Sequence, residues 1–172
     1  MRSGTGVVSV LGLMAFCSVA VAEATKLPAS VTGDLTEIAG ECTGVGGKAL
    51  TNDAVKRADL NADGKEDYVL DVGSIQCEGA ASAYGDRAKP VLVYVGDGSG
   101  GAKKAFDAAT YGIRIETSGP TNTLWLTVSG QLCGQKTSPD FANERWCERP
   151  IAWTAATQKF DFAPLSKVKM LQ

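Results

Sequence analysis

Val31, Leu35, Ile38 and Cys42 recur at steps of four, three and four. That spacing puts them on one face of an α-helix. Pro28 stands near the start of this segment, and Gly44 and Gly46 follow its end, which suits a helix bounded by a proline and closed by glycine. Thr32-Gly33 weakens the helical propensity inside it. Downstream the period changes from helical to twofold. Tyr68, Leu70 and Val72 face one way and Val69 and Asp71 the other, as in a strand. The run PVLVYV at 90–95 is apolar nearly throughout, which predicts a central strand covered on both faces. Segments 54–59, 103–106, 111–117, 123–128, 150–154 and 159–162 also read as strand. The glycine-rich stretch 96–101 joins two of these runs as a hairpin turn, and 155–158 joins the last two. The tail after Pro164 reads as a strand end or an unstructured terminus.

This makes about seven short strands and one N-terminal helix, with no internal repeat and no linker able to split the chain. The expected fold is a single α+β domain, mainly antiparallel β-sheet, spanning 23–172.

Residues 1–22 read as a secretory signal peptide. Arg2 is the positive n-region, Val7 to Val21 form the apolar h-region, and Ala20-Val21-Ala22 is an A-x-A cleavage site. The apolar run is about 15 residues, short for a membrane span. An uncleaved anchor is the alternative. Cys17 invites a lipoprotein reading, but Phe16 stands where a small residue belongs. No second run of about 18 apolar residues occurs, so no membrane span is expected in the mature chain. The expected location is periplasmic or secreted.

Four cysteines remain after cleavage: Cys42, Cys77, Cys133 and Cys147. An even number in an exported chain points to two disulfides. Three pairings are possible, and sequence proximity favours Cys42–Cys77 and Cys133–Cys147. A four-cysteine zinc site is the competing reading, but no C-x-x-C pair is present.

Charge and composition narrow the function. The chain of 172 residues carries 17 Lys and Arg against 19 Asp and Glu, so no basic excess recommends a nucleic-acid partner. It has no histidine. That removes Ser-His-Asp and Cys-His nucleophile sites and His-ligated zinc.

One segment carries specific chemistry. Residues 59–67 read Asp59-Leu60-Asn61-Ala62-Asp63-Gly64-Lys65-Glu66-Asp67, the pattern D-x-N-x-D-G-x-x-D. Calcium takes six to eight hard oxygen ligands. Asp59, Asn61 and Asp63, at loop positions 1, 3 and 5, can point at one centre, and Gly64 permits the sharp turn. Lys65 would offer its backbone carbonyl, and Asp67 would bind directly or through water. Asp71 or Glu78 is a further possible donor. The bland alternative is an acidic Asx-rich turn that binds nothing.

This loop resembles the DxDxDG calcium loops of EF-hands, dockerins and FG-GAP repeats, in a single copy. The chain is also similar to small exported, otherwise uncharacterised bacterial proteins with one DLNGDG-x-x-D loop ahead of a strand and a few cysteines. The resemblance implies Ca2+ at Asp59, Asn61, Asp63, Lys65 and Asp67. Three departures qualify it. Leu70 stands where an EF-hand has its bidentate Glu, the flanks read as strands rather than helices, and Ala62 stands where glycine is commoner. Without the bidentate Glu, affinity belongs in the extracellular range of about 10⁻⁴–10⁻³ M.

Other signals are weaker. The 96–101 stretch lacks the lysine placement and the Ser/Thr of a phosphate loop. Trp125, Trp146 and Trp153, with Tyr84, Tyr94 and Tyr111, are candidate sugar-stacking rings. For Trp125 core packing is the better reading, whereas Trp146 is placed in a loop. Glu144, Arg145, Glu148 and Arg149 read as a solvated loop of weak ion pairs, with a partner-binding rim as the alternative. No pair of acids is marked by position for glycoside hydrolysis, and no G-x-S-x-G elbow occurs. The expected function is an exported, non-catalytic protein with one structural calcium loop that binds a protein or a glycan of the cell envelope. The alternatives are a small carboxylate-dependent hydrolase of cell-wall or extracellular polymer and a purely structural envelope protein.

Overall fold

The computed structural model describes residues 26–119, 121–136 and 140–171. The signal segment 1–22 and Cys17 lie outside these residues. The predicted helix is present as α1, Ala29–Gly44. Pro28 precedes it with φ −55, a value its ring favours and that suits entry into a helix. At the other end Gly46, at φ +81, lets the chain turn back so that its amide reaches the Thr43 carbonyl and the Gly47 amide reaches the Cys42 carbonyl.

The described strands number eleven. β1 (Lys48–Leu50) pairs with β4 (Gln76–Glu78) in a small ribbon. β2 (Val55–Ala58), β3 (Asp67–Asp71), β5 (Lys89–Gly96) and β6 (Ala102–Thr110) form an antiparallel sheet in the order β2-β3-β5-β6. β7 (Gly112–Ser118), β8 (Thr121–Ser129), β9 (Trp146–Thr154) and β10 (Lys159–Phe162) form a second sheet as a simple meander, and β11 (Lys169–Met170) pairs with β9. The architecture is α+β and mainly antiparallel, as expected. β1, β4 and β11 escaped the sequence pattern because each spans only two or three residues. The tail after Pro164 forms a 3-10 turn at Leu165–Lys167 and then β11.

The layers explain the apolar patterns. Val69, Val91 and Val93 face the second sheet and meet Leu124, Leu126, Val128, Ile151 and Phe160. The alternate residues Tyr68, Leu70, Leu92 and Tyr94 face the other way and are covered by Val31 of α1, with Leu35 and Ile38 beside it. The first sheet is therefore the middle of three layers, and both faces of β3 and β5 are dry. That is why PVLVYV does not alternate. Each fully buried Val or Leu contributes roughly 1.5–3 kcal/mol.

α1 is tied to the sheet by a bond from the Ser30 hydroxyl to the Ala102 carbonyl, at 2.7 Å, and by a polar cluster. The fully buried Tyr94 donates its hydroxyl to Asp34, and Lys104 Nζ lies 2.6 Å from the same carboxylate. The lysine holds the Asp34 carboxyl below its ordinary value. Burial raises the Tyr94 hydroxyl far above its own.

Both disulfides match the pairing that proximity favours. Cys42–Cys77 joins the end of α1 to β4, and Cys133–Cys147 joins the turn after β8 to β9. Gly47 passes so close that a Cβ there would lie 2.5 Å from Cys77 Sγ and 2.9 Å from Cys42 Sγ.

The stretch 144–149 differs from its expectation. Glu148 and Arg149 are not in a solvated loop but in β9. Glu148 receives a two-pronged bond from Arg114 of β7 at 3.0 and 2.8 Å. Arg149 donates to the carbonyls of Ala163 and Leu132. Arg114 and Lys169 lie over the Trp125 ring, 5.4 and 3.9 Å from its centroid. Trp125 is 9% exposed, so it is buried under cations on the outer face of the second sheet.

Two outcomes follow. Replacing Cys133 and Cys147 together by serine removes a bridge closing 14 residues of separation and should lower unfolding free energy by about 3 kcal/mol; an unchanged urea midpoint contradicts this. Arg114 also holds the Glu148 carboxyl below its ordinary value of 4.5. A depressed folded pKa adds stability above the unfolded value, and that stability is lost as pH falls through the folded value. With Arg114 40% exposed, the pair is worth on the order of 1 kcal/mol. Glu148→Gln should therefore lower the melting temperature at pH 7, and the difference should narrow as pH falls below 4.5; a gap that does not narrow on acidification contradicts it.

Candidate metal centre

The loop 59–66 connects β2 to β3, so its flanks are adjacent antiparallel strands. Its polar side chains fold back onto its own backbone. Asp59 Oδ2 accepts from the Gly64 amide at 2.8 Å, and Oδ1 accepts from the Asp63 amide at 3.2 Å. Asn61 Oδ1 accepts from the same Asp63 amide at 3.0 Å, and Asp63 Oδ1 accepts from the Lys65 amide at 2.9 Å. Nested turns of this kind follow from short side-chain acceptors at alternate positions. They require left-handed backbone at Ala62, φ +60, and Gly64, φ +80. Glycine meets that without a Cβ penalty, whereas alanine does not. The loop is held to the second sheet as well, because Asn122 of β8 donates to the Asp59 carbonyl at 3.0 Å.

Asp67 sits behind the loop, fully buried. Its Oδ2 accepts from the Leu60 amide at 2.9 Å and its Oδ1 from the Gly96 amide at 3.1 Å. One carboxylate thus clamps the start of the loop to the end of β5. The approach is close: a Cβ on Gly96 would lie 2.0 Å from the Glu66 carbonyl oxygen. Burial raises the Asp67 carboxyl, the two amide bonds pull it back, and the charges of Asp63 and Asp59 push it up again.

The five expected ligand residues therefore separate into two groups. Asp59, Asn61 and Asp63 gather around the amides of 63–65, with Lys65 in the following position. Asp67 has both oxygens engaged by backbone amides and serves as the clamp. The further donors fall away. Asp71 stands four residues along β3, roughly 13 Å from Asp67, and accepts from the Gly73 amide and the Ser74 hydroxyl. Glu78 faces Lys48 at 4.0 Å in the small ribbon.

Among the described residues no three Cys, Asp or Glu side chains converge into a metal cage. A cation here depends on two carboxylates, one amide oxygen and backbone carbonyls, completed by water. That oxygen-only set fits a hard cation held weakly, and it fits neither zinc nor a softer metal. Lys65 Nζ lies 3.9 Å from Asp63 Oδ2, and its stem runs past Gly98 of the β5–β6 turn.

That turn is the neighbour that sequence reading treated only as a connection. Asp97 Oδ1 accepts from the Ser99 amide and hydroxyl and from the Gly101 amide, which lower its carboxyl below the ordinary value, the Ser99 amide most. Between the two loops and the β9–β10 hairpin lies a cavity of about 230 Å³, reached by Asn61, Asp63, Asp97, Lys103, Trp153 and Gln158. An Asp opening a glycine-rich turn is the signal that marks Asp97; nothing in the sequence ties it to Trp153 or Gln158.

Trp146 begins β9 rather than standing in a loop. It packs edge-on against Tyr111 and Phe141, with centroids 4.4 and 5.5 Å away. Glu144, Arg145, Met170 and Leu171 line a shallow hollow beside it.

No protein-family model matches the chain, and comparisons with curated proteins and with solved structures find no match.

Two substitutions check the loop's construction. Ala62→Gly relieves the left-handed alanine and should raise unfolding free energy by about 1 kcal/mol. Asp67→Ala strands two buried amides and should lower it by about 2–4 kcal/mol. Chemical denaturation reads both; a neutral Asp67→Ala contradicts the clamp.

Proposed function

We propose that the chain is an exported, non-catalytic binding module of the cell envelope, stabilised by one calcium ion in the loop 59–65. Asp59, Asn61 and Asp63 supply side-chain oxygens and Lys65 its carbonyl, with Asp67 fixing the loop from behind. The reading rests chiefly on one observation: three oxygen-bearing side chains at alternate positions are already organised around a turn closed by Gly64. The ion's contribution there is charge neutralisation and loop stiffening. With Asp67 withdrawn, affinity belongs at the weak end, about 10⁻⁴–10⁻³ M.

Export is supported by the signal pattern in 1–22 and by two disulfides, which persist in oxidising compartments. No described helix is long and apolar enough to cross a membrane. A non-catalytic role is supported by the lack of histidine and by the engagement of four acids. Asp34 is held by Lys104, Glu66 by Arg57, Glu148 by Arg114 and Glu144 by the Ser129 hydroxyl. The partner class is a protein or glycan of the envelope.

Calcium titration by calorimetry after EDTA stripping tests the metal. The expected result is a one-site isotherm with a matching rise in melting temperature, both lost in Asp63→Ala while that variant melts normally in EDTA. No heat and no melting shift up to about 10 mM calcium, ten times the weak end of the expected range, would leave 59–67 as an acidic turn.

A further inference from the structure

The 230 Å³ cavity beside the loop gathers polar side chains that neither the metal nor the core uses, Asp97, Lys103 and Gln158, next to Trp153 at the edge of the core. Its apolar wall is Trp153, a partly exposed indole braced from behind by Phe160 at a centroid distance of 4.9 Å. Its polar rim alternates acceptors and donors: Asn61 and Asp63 from the loop, Asp97 from the β5–β6 turn, Lys103 from β6 and Gln158 from the β9–β10 turn. Three separate chain segments, 61–65, 95–105 and 153–158, thus converge on one small hollow.

Gln158 carries a second sign. Its φ is +52, left-handed backbone that glycine or asparagine occupies far more easily. The turn tolerates the strain of a long side chain there, and that side chain reaches the cavity. A residue held in an unfavourable conformation at a cleft is a reason to look for a ligand.

The shape and charge select the ligand class. At about 30 Å³ per water the hollow holds roughly eight waters, the room of one six-membered ring. One flat aromatic face favours a ligand with an apolar C–H face. The mixed rim favours a ligand dense in hydroxyls, able to donate to Asp97 Oδ2, since Oδ1 serves the turn, and to accept from Lys103 or Gln158. Asp63 and Asp97 disfavour an anion, and Lys65 and Lys103 beside them disfavour a cation. We propose that this cavity binds a single neutral sugar residue, such as the exposed end of an envelope or extracellular glycan, with Trp153 stacking on its ring and Gln158 and Asp97 taking its hydroxyls. The proposal rests on the binding-module reading and selects the glycan over the protein partner; it does not require the metal.

The test is a ¹H–¹⁵N spectrum of the disulfide-bonded protein. It is titrated with glucose, galactose, mannose and N-acetylglucosamine, each to about 100 mM, once with calcium and once with EDTA. Affinity for a lone monosaccharide should lie in the millimolar range, about 1–10 mM. At least one sugar should shift the Trp153 indole and Gln158 amide signals saturably and leave the Trp125 and Trp146 indoles still. Trp153→Ala should weaken that binding about tenfold. Gln158→Ala, on an exposed turn, should weaken it too while leaving the melting temperature unchanged. No saturable shift from any of the four sugars overturns the proposal, as does a response confined to Trp146. Calcium shifts at 59–65 without a sugar response overturn the sugar site alone. A sugar response in EDTA without any calcium response supports the sugar site and removes the metal.

Discussion

Asp67 places a charged group at the fully buried start of β3, and two backbone amides make that tenable. An unpaired carboxylate in such a position costs several kcal/mol, so the Leu60 and Gly96 amides are not decoration. They set where the loop begins and how near the end of β5 must come. Gly96 is needed for the same reason, since the Glu66 carbonyl occupies the space a side chain would fill. From this clamp follows the rest of the site. The loop cannot drift from the β5–β6 turn, so Asp63, Lys65 and Asp97 share one neighbourhood, and the β9–β10 hairpin closes it from the second sheet.

The clamp works because the strand that carries it is packed on both faces. β3 and β5 are covered by α1 on one face and by the second sheet on the other. A shift of one residue in their pairing would exchange the two faces and send Val69, Val91 and Val93 toward the helix. Such a slip is opposed by both cores at once. The Asp34–Tyr94–Lys104 cluster then fixes the helix to the middle layer, and the Cys42–Cys77 bridge fixes its end to the β1–β4 ribbon. The Cys133–Cys147 bridge staples the turn after β8 to β9.

Much of this was legible in the chain because it is periodic. The helix was visible in the steps between Val31 and Cys42, the central strand in PVLVYV, and the loop in alternating acids before Gly64. What escaped was either too short to show a period, as with β1, β4 and β11, or depended on contacts distant in sequence. Glu148 and Arg149 read as solvated charges because nothing local reveals Arg114 or the Ala163 carbonyl. Trp146 read as a loop residue because charges flank it, although β8 recruits it into a strand. Asp67 read as a ligand because its spacing matches one; only the fold shows that its oxygens are used by Leu60 and Gly96. Ala62 was marked as unusual for its position, and its left-handed backbone gives the reason.

The clamp, and not an ion, preorganises the loop. Amide hydrogen exchange in EDTA measures this: exchange should be slowed at Leu60, Gly64 and Gly96 in the metal-free protein, with protection at Leu60 and Gly96 lost in Asp67→Ala. Exchange at unstructured-chain rates for all three amides in EDTA would contradict it, and would mean that the loop is ordered only by what binds there.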